Sequence, residues 1–139
     1  MATQPLRRHA TRALAATACV LCAVAAQAAA CPLPADARTL TTTGSVQAAW
    51  TTEPALPAVG EPFVVQITLC PASAQLVKVD AEMPDHRHGM NYQPSLTALG
   101  DGRWRVEGMV WHMAGRWLLK VDARLDGNPH RLTQSVVLK

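Results

Sequence analysis

Two short stretches hold most of the side chains that could do chemistry. MPDHRHGMNY, residues 83–92, sets His86 and His88 between Met83 and Met90. GMVWHM, residues 108–113, adds Met109, His112 and Met113. Beyond the first thirty residues the histidines are His86, His88, His112 and His130, and the methionines are Met83, Met90, Met109 and Met113. All four of those methionines and three of those histidines fall between residues 83 and 113. Imidazole accepts zinc, copper, nickel and iron, whereas thioether sulfur is a soft donor that selects Cu(I). Histidines mixed with methionines therefore point to a copper ion, and to Cu(I) in particular. Thioethers also persist in an oxidising compartment without pairing as disulfides.

Spacing then selects among these residues. In an extended backbone, residues i, i+2 and i+4 point to one side. His86, His88 and Met90 are expected to share a side on that rule. His112 is in phase with Trp104, Val106 and Val110, all expected to face inward, and is the further ligand. Met113 is its neighbour and so faces the other way unless the strand has ended; it is the secondary ligand. Asp85 is either a partner that orients a histidine or, as the preferred reading, a solvated turn residue.

The plainer roles are assigned alongside. Met83 is in phase with Val77, Val79 and Ala81 and is expected in the core, and Met109 is expected to pack there too. Trp104 and Trp117 read as core; Trp111 is out of phase and either covers the site or lies exposed. His130, in the GNPHR turn, reads as solvent-exposed. Enzyme motifs do not complete themselves. The His-x-His of DHRHGM lacks the following Asp-His of metallo-hydrolases and the glutamate of a cupin half-motif. No glycine-flanked serine nucleophile and no phosphate-cradling glycine loop is present. No enzymatic activity is expected.

The elements that must position these residues are strands. Period-two alternation runs through Ser45–Thr51, Phe63–Leu69, Val77–Met83, Trp104–Val110, Trp117–Leu125 and Leu132–Leu138, with a weaker segment over Pro94–Leu99. Turn signals separate them, notably Gly100-Asp101-Gly102 and Asp126-Gly127. About seven strands without a helix predict a single immunoglobulin-like β-sandwich, with a small barrel as the alternative.

The first thirty residues read as a leader. Arg7, Arg8 and Arg12 precede a short apolar run, Ala13 to Ala26, and small residues follow at the positions a signal peptidase reads. Cleavage is expected after Ala28 or Ala30, leaving residues 31–139 as one domain in the periplasm. A retained anchor is disfavoured because the run is shorter than the roughly 20 residues a spanning helix needs. Lipid attachment at Cys31 is the minor alternative. With the leader's arginines set aside, ten of the thirteen Lys and Arg remain against ten Asp and Glu. That neutral balance gives no footing for nucleic acid or an anionic membrane. Cys31 and Cys70 also remain, and two cysteines in an exported chain are expected to pair. The bridge would close a loop of about 40 residues, worth at most roughly 4 kcal/mol in the chain-entropy model.

The segment from Phe63 to Leu138 resembles the YtkA-like domain family, related to FixH-like proteins. The resemblance is carried by Met83-Pro84, His86, His88-Gly89-Met90, Gly108, His112-Met113 and Gly115-Arg116-Trp117. It implies a small immunoglobulin-like sandwich, exported or tethered, with a link to copper handling or respiratory-oxidase assembly. It brings His86, His88, Met90, His112 and Met113 across as metal-site positions. Ala114 departs from the family's usual HMPG, removing a proline that would fix Met113. The expected function is a copper-binding sandwich for buffering or delivery, partnered by a copper-accepting or membrane-complex protein. The alternative is a metal-free interaction module that supports assembly of a membrane complex.

Overall fold

The computed structural model describes residues 31–40 and 44–139; the leader expected over residues 1–30 lies outside them. Nine strands follow one another: β1 (Arg38–Leu40), β2 (Gln47–Glu53), β3 (Pro62–Cys70), β4 (Gln75–Met83), β5 (His88–Gly89), β6 (Ser95–Gly100), β7 (Arg103–Val110), β8 (Gly115–Leu125) and β9 (Asn128–Leu138). They form two antiparallel sheets, β1-β2-β3-β7-β6 and β5-β4-β8-β9. This is the expected all-β sandwich. The two strands beyond the expected seven are short. β1 turns the lead-in into an edge strand against β2, and β5 adds two residues to β4. Among the described residues no helix is long and apolar enough to cross a membrane.

The alternating segments place their apolar residues between the sheets. Phe63, Val65, Ile67 and Leu69 from β3 meet Trp117, Leu119, Val121 and Ala123 from β8, with Val79, Ala81 and Met83 from β4. All of these are buried. Asp126 and Gly127 connect β8 to β9 with both residues at positive φ, 49° and 81°. That is the two-residue turn whose twist matches paired strands, and the reason an Asp-Gly pair serves there. Cys31 and Cys70 stand at disulfide distance with Cα atoms 5.6 Å apart, which ties the lead-in to the end of β3.

Two interruptions change which residues face inward. The β4–β8 register shifts between Leu76 and Lys78. Leu76 therefore takes the buried place, and Val77, expected inward, is 51% exposed. In β7 the register against β3 shifts beside Gly108, which sits at φ 88°. One extra residue in a strand reverses the phase of all that follow. Met109 is buried as expected, but Val110 is only half-buried, and Trp111 moves wholly into the core. Trp104, before the bulge, packs against the core's margin rather than within it.

Candidate metal centre

The site sits where three pieces of chain meet at one end of the sandwich. The first is the hairpin from β4 to β5. Its connection, Pro84 to Arg87, is a turn and not extended chain: the His86 N–H donates to the Met83 carbonyl at 3.1 Å, and Arg87 adopts φ 56°. His86 therefore does not belong to a strand, contrary to the expectation that His86, His88 and Met90 alternate along one. His88 and Met90 do share a face. His88 pairs directly with Met83, and the Met90 N–H donates to the Ala81 carbonyl at 3.0 Å. Directly opposed residues of an antiparallel pair point the same way, so both follow Met83 and Ala81 toward the core side.

Gly89 lies between them because nothing larger fits. A Cβ there would come within 2.9 Å of the Ala81 carbonyl oxygen. Gly89→Ala is expected to cost about 1–2 kcal/mol as the ladder shifts to relieve that contact. Denaturant unfolding would measure it, and an unchanged midpoint would contradict the close approach.

The second piece is the connection 111–114, which carries the chain from β7 in one sheet to β8 in the other. Trp111 fills the core, stacked on Phe63 at 5.2 Å, and its carbonyl accepts the Gly60 N–H at 2.7 Å. His112 is exposed. The inward direction expected for it fails because the bulge at Gly108 reversed the phase. It still reaches the histidines, because the chain there crosses the end of the sandwich and is no longer a strand. Met113 is 36% exposed, and its carbonyl accepts the Trp117 indole N–H at 3.0 Å.

The third piece is the start of β8. Trp117 is buried and its ring abuts both imidazoles, with centroids 4.8 Å from His112 and 6.2 Å from His88. Sequence phase placed Trp117 in the core but gave no sign that it supports the histidines. Arg116, expected only as part of the family resemblance, donates from its guanidinium to both carboxylate oxygens of Asp85, at 3.1 and 2.6 Å. These residues are 31 apart, so only the fold brings them together. Asp85 thus holds the turn through Arg116, which takes both of its carboxylate oxygens.

That pairing has a pH signature. Hydrogen bonds from Arg116 hold the Asp85 carboxyl below its ordinary value. A lowered folded pKa means the contact is fully present above the unfolded carboxylate value and is lost as pH falls through the lowered one. Amide protection factors at residues 85–87, corrected for the intrinsic pH dependence of exchange, are expected to stay constant through neutral pH and to fall below the usual aspartate range. Arg116→Gln should remove that acid-dependent step.

The three imidazoles form a row. Ring centroids of His86 and His88 are 5.8 Å apart, and those of His88 and His112 are 5.0 Å apart. Metal–imidazole bonds of about 2.0 Å put each centroid about 3.1 Å from the ion, so two rings on a tetrahedral ion lie about 5 Å apart and two on a nearly linear one about 6 Å. His88 and His112 stand at the first spacing. The row does not close into a cage: among the described residues no group of three or more His, Cys, Asp or Glu side chains is arranged to hold a metal ion. The methionines lie near these histidines along the chain. Met90 packs against the core two residues from His88, and Met113 adjoins His112. His130 lies on β9 opposite Ala123, far along β8 from its start at Gly115, and takes no part. No protein-family model, no curated protein and no solved structure matches this chain.

Proposed function

We propose that this domain carries a copper ion as Cu(I), for buffering or delivery outside the cytoplasm. One observation carries the reading. His88 from a sheet edge and His112 from the inter-sheet connection bring their rings to 5.0 Å, a spacing that suits one shared ion. A thioether adjoins each of them in the chain, Met90 two residues from His88 and Met113 beside His112. Soft sulfur favours Cu(I) over zinc. The resemblance to YtkA-like domains and the leader expected at residues 1–30 agree with export and copper handling. The role proposed is a carrier's, in which His88 and His112 bind the ion and release it.

Anaerobic titration of Cu(I) against a competing chelator tests this. One equivalent per chain, held far more tightly than Zn(II), is the expected result. Binding no tighter than that of a random His-containing peptide would sink it. The second reading, a metal-free interaction module, is favoured by the apolar side chains beside Trp111. Leu56 and Val137 line the same hollow as Trp111 and are 84% and 70% exposed. On that reading the Cu(I) titration is flat.

A further inference from the structure

The third imidazole needs a role of its own, because it does not converge with the other two. We propose that His86 is the exchange ligand of the centre. It takes the ion from the His88–His112 pair and presents it to an acceptor. This rests on the copper reading above.

The geometry supplies three arguments. His88 is common to both ring pairs, so the row contains two adjacent two-imidazole positions. The inner position, His88 with His112, has the spacing of a roughly tetrahedral ion, and the Trp117 ring backs both imidazoles. The outer position, His86 with His88, has the wider 5.8 Å spacing that suits a near-linear, low-coordinate ion. Moving between them requires that the His86 nitrogen lone pair form a bond to copper as the His112 bond breaks. His88 stays bound, the ion remains Cu(I), and no electron is transferred.

His86 is also placed for that task. It is exposed, as His112 is, whereas His88, common to both positions, is half-buried. Its turn is fixed from both sides: the His86 N–H is held by the Met83 carbonyl, and its neighbour Asp85 is held by Arg116 on β8. Fixed spacing keeps the outer position open without ordering a loop at each transfer, which preserves speed.

The test is anaerobic stopped-flow transfer of Cu(I) from the loaded protein to excess bathocuproine disulfonate, with equilibrium competition run beside it. His86→Ala is expected to slow transfer at least about tenfold while weakening Cu(I) binding only about threefold. A transfer rate equal to wild type overturns the proposal. So does a loss of affinity as large as that of His88→Ala, which would make His86 a resident ligand. A wild-type protein that cannot be loaded overturns the copper reading itself, and loading is measured before any transfer is begun.

Discussion

His88→Ala is expected to lower Cu(I) affinity by at least about 100-fold, close to 2.8 kcal/mol, in anaerobic competition with bicinchoninate. His88 is singled out because it touches both other imidazoles and Trp117. It is also the only one of the three that sits in a β-ladder, opposite Met83. Its orientation is therefore set before any ion arrives, and a prepositioned donor loses less freedom on binding. His112, on an irregular connection, has more freedom to lose, and His112→Ala should cost less than His88→Ala. The substitution His88→Met sharpens the test. A thioether in the same place should restore part of the Cu(I) affinity and none of the Zn(II) affinity, because sulfur of this kind is a donor for Cu(I) and not for zinc. Identical competition curves for wild type and His88→Ala would remove the metal centre from further consideration.

The strands were legible because their apolar residues alternate cleanly, as in Phe63 to Leu69 and Trp117 to Ala123. Each expected strand lies within a few residues of an observed one, and β1 and β5 are the two that the pattern did not mark; β2, for example, runs Gln47–Glu53 against an expected Ser45–Thr51. What the alternation could not reveal is where it slips. A bulge is a property of two strands in register, and neither Gly108 nor Val77 announces one in a single sequence. The slip at Gly108 reversed Trp111 and His112 together, so the residue expected to cover the site or lie exposed became core and the expected inward ligand became exposed.

The cluster itself was legible for a different reason. His86, His88 and His112 are near in sequence or separated by one hairpin pair, β6 with β7, so the chain returns to the same end whatever the details of phase. The supports were not. Arg116 grips Asp85 across 31 residues of chain, and Trp117 meets His88 across 29. Such contacts exist only once β4 and β8 have paired, Glu82 beside Leu118. The histidines can thus be read from residue type, but their spacing is set by sheet pairing.

Trp117 abuts both His88 and His112, and its removal should be a large stability change in the domain. Trp117→Ala is expected to cost about 4 kcal/mol, the usual loss for a fully buried tryptophan that leaves a cavity behind. For a domain of this size that is a fall in melting temperature of more than about 15 °C. The side chain is fully buried, packs on Trp111 at 5.3 Å, and closes the inter-sheet connection through its bond to the Met113 carbonyl. Trp117→Phe separates these roles. The ring remains in the core, while the N–H to the Met113 carbonyl is lost, at about 1–2 kcal/mol. If that bond sets where the connection places His112, Trp117→Phe will remain folded yet weaken Cu(I) binding about tenfold, whereas a core substitution away from the site, such as Val121→Ala, will lower stability and leave the affinity of the folded protein as it was. A Trp117→Phe protein with wild-type affinity would show that the indole packs the core and does nothing for the imidazoles above it.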